Sequence, residues 1–213
     1  MGENEVKMKD QLGYINKLVA INRPRLQGDI EQAIELAVEI ADKWQRSCEL
    51  CELIAYMYFE QALLNNEGEN FEKAVYWLES AINIDEQNSR LHARLGDIYW
   101  LGILDYAAAA TEYRQAIRLD HRNRRAYIGL AALYGPPESD ITIEEAIESL
   151  KSAIELDSDD PNINARLGEL LYESRREFEA LEVWSRALSC SKSPEAGYLE
   201  LIKVKLTEIE RKP

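Results

Sequence analysis

Ala146-Ile-Glu-Ser-Leu150-Lys-Ser-Ala153-Ile-Glu-Leu-Asp157 decides the reading of this chain, because its pattern occurs three times. Ala74-Val-Tyr-Trp-Leu-Glu-Ser-Ala81-Ile-Asn-Ile-Asp85 and Ala109-Ala-Thr-Glu-Tyr113-Arg-Gln-Ala116-Ile-Arg-Leu-Asp120 repeat it. Each has alanine, a large residue four later, alanine three after that, then Ile-x-Ile/Leu-Asp. A shorter copy runs from Ala180 through Trp184 to Ala187-Leu188. The first alanines stand at 74, 109, 146 and 180, so the spacing is 34 to 37 residues. A second motif lies upstream in each unit: Leu95-Gly96-x-x-Tyr99, Leu130-Ala131-x-x-Tyr134 and Leu167-Gly168-x-x-Leu171. Large apolar residues recur at i, i+3, i+4 and i+7, which gives each segment one apolar helical stripe. Small residues recur where two helices must approach closely. One helix pair cannot bury such stripes, so neighbouring pairs must stack.

This pattern resembles the tetratricopeptide repeat, with its L-G-x-x-Y first helix and its A-x-x-x-F, A second helix. The resemblance covers nearly the whole chain. It implies an all-α fold: a right-handed solenoid of antiparallel helix pairs, closed by a C-terminal capping helix. With Leu95 at position 7, the units fall at 48–88, 89–123, 124–160 and 161–193. A divergent first unit occupies 1–47, and a cap occupies 194–213, all in one continuous stack. Gly28-Asp29-Ile30 with Ala33 matches the turn and second helix of the first unit. Its first helix, about Lys7 to Ile21, has no fixed register. The 48–88 unit is longer than the others, and the surplus around Phe59 to Asn70 is expected to extend its first helix and turn.

Helix ends are signalled. Asp160-Pro161 and Ser193-Pro194-Glu195 read as an N-cap followed by proline at N1. Thr142-Ile-Glu-Glu145 reads as a capping box, and Gly135-Pro136-Pro137 as a stiff loop. The proline common near position 32 is replaced by Glu86, His121 and Ser158. The last helix carries Leu199, Ile202, Leu206 and Ile209 on one face and charge on the other, as a solenoid cap requires.

Composition narrows the function classes. The chain has 213 residues, 46% hydrophobic and 30% charged, with formal net charge -14. Such acidity argues against binding nucleic acid, which rewards Lys and Arg, and against docking on an anionic membrane. Three cysteines, Cys48, Cys51 and Cys190, are too few and too odd in number for a disulfide framework. The N-terminus MGENEVKMKD lacks the apolar core of a signal peptide, no stretch is long enough to span a bilayer, and Val6 stands where myristoylation wants Ser or Thr. A soluble cytoplasmic protein is expected.

The residues do not assemble an enzyme. Cys48-Glu-Leu-Cys51 is a lone CxxC placed inside a helix, with no second pair to complete a zinc site. His92 and His121 are not spaced as in a metalloprotease motif. Neither a phosphate loop nor a Gly-x-Ser-x-Gly elbow is present. No catalytic residue, metal or cofactor is expected.

The resemblance instead implies a binding face. Positions 2, 5, 9 and 12 of each first helix line the concave surface in this family. They are Arg90, Ala93, Asp97 and Trp100 in the third unit. They are Arg125, Ile128, Ala132 and Gly135 in the fourth, and Asn162, Ala165, Glu169 and Tyr172 in the fifth. In the second unit they are Glu49, Glu52, Tyr56 and Phe59. Arg94 and Arg166 flank the stripe. Aromatic residues beside arginine have the composition of binding hot spots. The expected partner-binding groove is therefore Arg90, Arg94, Asp97, Trp100, Arg125, Ile128, Arg166, Glu169 and Tyr172, with Trp100 beside Ile128 and Ala132. Packing against neighbouring helices is the competing role for Trp100 and Tyr172. The carboxylate clamp of some relatives needs Lys and Asn where this chain has Ala93 and Asp97, so that recognition mode fails. Arg118, Arg122, Arg124 and Arg125 form a basic cluster that could grip an anionic partner, or could simply be a solvated turn. The leading expectation is a scaffold or adaptor for another protein. The alternatives are a homo-oligomer assembled through the C-terminal helix and, with less support, an RNA-binding repeat.

Overall fold

A computed structural model describes residue 21 and residues 28–43, 46–65, 67–157, 159–189 and 196–210. Within them the chain forms ten α-helices and no strand. They are α1 (Ile30–Lys43), α2 (Cys48–Asn65), α3 (Gly68–Ile84), α4 (Ser89–Ile98), α5 (Tyr106–Leu119), α6 (Arg124–Ala132), α7 (Ile143–Leu156), α8 (Pro161–Glu173), α9 (Glu177–Ser189) and α10 (Ala196–Glu210). A π-helical turn, Tyr99–Ile103, prolongs α4. Of the expected first helix only Ile21 is described, and it is fully buried. The Ser193-Pro194-Glu195 cap and Cys190 lie outside the described residues.

Two compact units emerge, residues 1–104 and 105–213. The division falls inside the expected 89–123 repeat. In the first unit α1 packs on α2, α2 on α3 and α3 on α4, while the π-turn rests on α2 and α3. Short connections make consecutive helices antiparallel. The alanines of the repeated pattern supply the close approaches: Ala74 and Ala81 have no exposed surface. Leu50, Ile54, Met57, Leu78, Leu91 and Leu95 fill the space around them. The first helix of the 48–88 segment, α2, runs for 18 residues.

In the second unit α5 packs on α6, α6 on α7, α7 on α8 and α8 on α9, and α10 lies against both α8 and α9. Two aromatic–glycine contacts hold the pairs together. A Cβ on Gly129 would stand 2.3 Å from the Tyr113 ring, and one on Gly168 would stand 2.3 Å from the Trp184 indole. Only a glycine lets the backbone come so near. The Trp184 indole N–H donates to the Ala165 carbonyl at 3.2 Å, so the buried ring leaves no orphan donor. Ile202 of α10 is fully buried, and the Lys205 ammonium sits 4.8 Å above the Tyr172 ring.

Caps appear where the sequence signals them. The Thr142 hydroxyl accepts from the Glu145 amide at 3.1 Å. The Asp160 carboxylate accepts from the Asn162 and Ile163 amides, with Pro161 opening the helix. The missing proline has a substitute that the pattern contains but does not advertise. Asp85 to Asn88 and Asp120 to Asn123 close a turn through a backbone hydrogen bond of 3.2 and 2.9 Å. The Asn123 side chain then caps α6 by accepting from the Ala126 amide at 3.1 Å.

Candidate functional site

In the first unit the expected stripe brings together Glu52 and Tyr56 of α2 with Arg90 and Arg94 of α4. Glu52 is only 8% exposed, a costly place for a carboxylate unless cations meet it. Arg90 donates to Glu52 Oε2 at 2.7 Å. Arg94 Nε approaches Oε1 at 3.0 Å, without the alignment of a hydrogen bond. The Arg94 guanidinium also lies 5.8 Å from the Tyr56 ring centroid, within the range of a cation–π contact. Two arginines thus share one buried carboxylate, and Arg90 keeps more than half of its side chain in solvent. Ala93 and Asp97, expected on the same face, are buried, and Asp97 is engaged within the fold. Trp100 is half-buried in the π-turn.

In the second unit Arg125 is exposed and Ile128 half-buried. Arg166 and Glu169 form an ion pair along α8. Tyr172 packs its ring 5.8 Å from the Trp184 ring and lies under Lys205. These contacts match the packing role weighed for it above.

The basic cluster is spread over several tasks. Arg118 is folded onto Gln115 through two hydrogen bonds of 2.9 and 2.6 Å. Arg124 donates to Asp160 at 2.8 Å and lies 3.8 Å from Asp157. Arg122 and Arg125 reach solvent. Arg124 is therefore drawn into the fold, while Arg118 stays exposed on its own helix.

Sequence reasoning missed three polar links. Glu52 appears in the stripe, and pairing that stripe with the first helix of the following repeat would have matched it to Arg90 and Arg94. Arg114 forks onto Glu145 (3.0 Å to each oxygen) and Asp140, and these carboxylates hold its guanidinium protonated beyond the usual arginine range. The Tyr134 hydroxyl donates to Glu173 at 2.6 Å, which pushes the phenol pKa up. No sequence motif marks either of the last two. The CxxC carries little nucleophilic character. Burial pushes both thiols up, helped at Cys48 by the charge of Glu49, so the thiolate is scarce near neutral pH.

Residues 142–174 match the TPR repeat model. The formate-dependent nitrite reductase complex subunit NrfG of Escherichia coli O157:H7 is 26% identical over 135 residues, spanning 63% of this chain and 67% of that protein. Among solved structures, MamA from Desulfovibrio magneticus RS-1 superposes with a TM-score of 0.67 at 20% identity, covering 89% of this chain and 96% of that one. PilF of Pseudomonas aeruginosa gives 0.71 at 15% identity, covering 95% and 86%. With the helix pairs and their period, these likenesses define a helical-repeat fold. Its fold is that of the tetratricopeptide repeat proteins. Among the described residues, no helix is long and apolar enough to cross a membrane.

Proposed function

We propose that the chain is a non-catalytic adaptor that holds an extended segment or a helix of a partner protein against the first helices of its pairs. The observation that carries this reading is the Glu52–Arg90–Arg94 cluster. One buried carboxylate fixes two arginines and leaves a net positive charge beside Tyr56, on the helix that leads into Trp100. Fixed guanidinium groups can take a partner carboxylate with little ordering cost, and an aromatic on the same helix can take an apolar side chain. In the second unit the corresponding residues are Arg125, Ile128, Arg166, Glu169 and Tyr172, with Arg118, Arg122 and Arg124 as the anionic-partner patch. NrfG is by name a subunit of a complex, which suits a chain that works by holding another protein. The sparse cysteines fit a reducing compartment such as the cytoplasm.

Assembly through the C-terminal helix has less support. α10 spends its apolar face on α8 and α9 of its own chain, with Ile202 buried there. RNA binding has less still, since the net charge is -14.

The test is affinity capture with partner identification by mass spectrometry, followed by binding measurements on two variants. Trp100→Ala should weaken partner binding by about 2 kcal/mol or more at little cost in stability. Leu95→Ala, in the core, should cost about 2–5 kcal/mol of stability. If Trp100→Ala unfolds the chain as readily as Leu95→Ala and leaves affinity intact, the binding face lies elsewhere.

A further inference from the structure

The first unit shows a second surface, distinct from the arginine cluster. It lies where the end of α2 meets the π-turn. Phe71 of α3 is its floor. The Phe59 ring of α2 meets Phe71 edge-on at a centroid distance of 5.8 Å. Gly102 of the π-turn approaches the same ring so closely that a Cβ there would stand 2.3 Å from Phe71 Cδ1. Leu63 follows Phe59 by one helical turn and so leaves α2 on the same side. Leu101 and Ile103 flank Gly102. Five aliphatic residues of these two segments are exposed: Leu63 and Leu64 at the end of α2, Leu101 and Ile103 in the π-turn, and Leu104 just after it. Leu64 is 73% exposed and Leu104 61%. Singly exposed apolar residues are ordinary, but a group gathered from two segments is not.

Leu104 adds a second observation. It ends the π-turn at φ 63, in the left-handed region that glycine or asparagine occupies at less cost. A bulky apolar residue gains nothing there from the backbone, and its side chain is not used in the core. Nothing in the backbone calls for leucine at this place, and its side chain is open to a partner. π-turns are also frequent at functional sites.

The charge around the patch selects the occupant. Residues 60–73 hold four glutamates and one lysine, and that lysine is paired with Glu69 at 2.7 Å. A second copy would face acid with acid across a two-fold contact. An anionic membrane would be repelled in the same way. We propose that this patch docks an amphipathic helix of a partner protein, with aliphatic side chains on one face and Lys or Arg on its flanks. The mode is helix on an apolar platform, with the glutamates steering the approach.

The experiment uses the full chain and two charge-neutral variants, Leu104→Gly and Leu64→Ser. The probes are a synthetic amphipathic helix of leucine and lysine and its counterpart with glutamate in place of lysine. Binding is read by fluorescence anisotropy and folding by thermal denaturation. The lysine helix should bind and the glutamate helix should not. Each variant should weaken binding about tenfold or more, as losing a central apolar contact does, with an unchanged or higher melting temperature. Because neither variant alters charge, affinity that persists in both would mean simple attraction to an acidic surface and would overturn the proposal. So would equal binding of the two probes. A wild-type dimer that both variants convert to monomer would overturn it too, by assigning the patch to a second copy.

Discussion

Among the described residues, two helices end on a left-handed residue that is not glycine: Leu104 after α4 and Arg175 after α8. After α8 the backbone groups are satisfied locally. The amides of Ser174, Arg175 and Arg176 donate to Leu170, Tyr172 and Leu171 at 2.9, 3.1 and 2.8 Å. Arg176 reaches forward to Glu179 at 2.7 Å. The surface there is polar except for Phe178, and the turn is only a stop. After α4 the Leu104 amide reaches back to the Tyr99 carbonyl across a wide π-turn. The side chains around that amide are aliphatic and exposed. One backbone problem is thus solved twice with opposite surface chemistry. The polar turn ends a helix, and the apolar turn ends a helix and also presents a surface.

The largest way to test this contrast is to attack the packing that makes the polar turn sufficient. Trp184 is fully buried over Gly168. Trp184→Ala should cost about 3–5 kcal/mol, the range for losing a buried aromatic. Urea unfolding would measure the loss, and hydrogen exchange would locate it. Protection should fall first in 161–189, while 48–98 holds, because stability in stacked repeats is largely a nearest-neighbour property. Equal loss of protection in both segments would show that the two compact units unfold as one.

A smaller effect belongs to the cap that α8 has and α4 lacks. Asn88, which precedes α4, makes no side-chain cap hydrogen bond and turns its amide to Asp85 at 3.0 Å. Asp160 caps α8 and holds Arg124. Burial pushes its carboxyl pKa up, but the Arg124 hydrogen bond and the two backbone amides outweigh that and hold it below the ordinary value. A carboxyl depressed in the folded state adds stability above its unfolded pKa and loses it as pH falls through the folded one. The loss therefore lies below about pH 4. Asp160→Asn keeps a capping oxygen but not the charge, so it should cost about 1 kcal/mol or less at neutral pH, since the pair is partly exposed. It should also flatten the acid limb of a thermal-stability profile. An unchanged acid limb would mean that another carboxylate controls it.

What the sequence reveals about this molecule follows from what repeats in it. Ala74, Ala109, Ala146 and Ala180 are all buried without exposed surface, since a small residue at a fixed period has a single packing reason. The caps at Thr142 and Asp160 are equally legible, because capping is local chemistry. The arginine cluster is half legible: the stripe contains Glu52, Arg90 and Arg94, but their meeting needs contacts 38 residues apart in sequence. The π-turn is not legible at all. Tyr-Trp-Leu-Gly-Ile reads as one more helical turn, and what widens it is tertiary. Gly102 comes down onto Phe71, a residue from another helix whose place no local pattern announces.

The smallest effect concerns the two left-handed residues themselves, and it separates strain from use. Substituting glycine at Leu104 or Arg175 removes a steric cost of about 1–2 kcal/mol for an L-residue in the left-handed region. It also frees the unfolded chain, which returns about 0.5–1 kcal/mol against stability. The two nearly cancel, so either variant should change stability by about 1 kcal/mol or less, in the stabilising direction. At Arg175 no side-chain hydrogen bond or ion pair to another described residue is at stake, and at Leu104 the lost side chain is mostly in solvent, so folding alone should treat the two alike. Binding of the lysine-bearing helix should not: Leu104→Gly should weaken it and Arg175→Gly should leave it unchanged. If Leu104→Gly instead destabilises the chain clearly more than Arg175→Gly, the leucine is part of the structure of its turn. The contrast between the two helix ends would then be one of packing and not of surface.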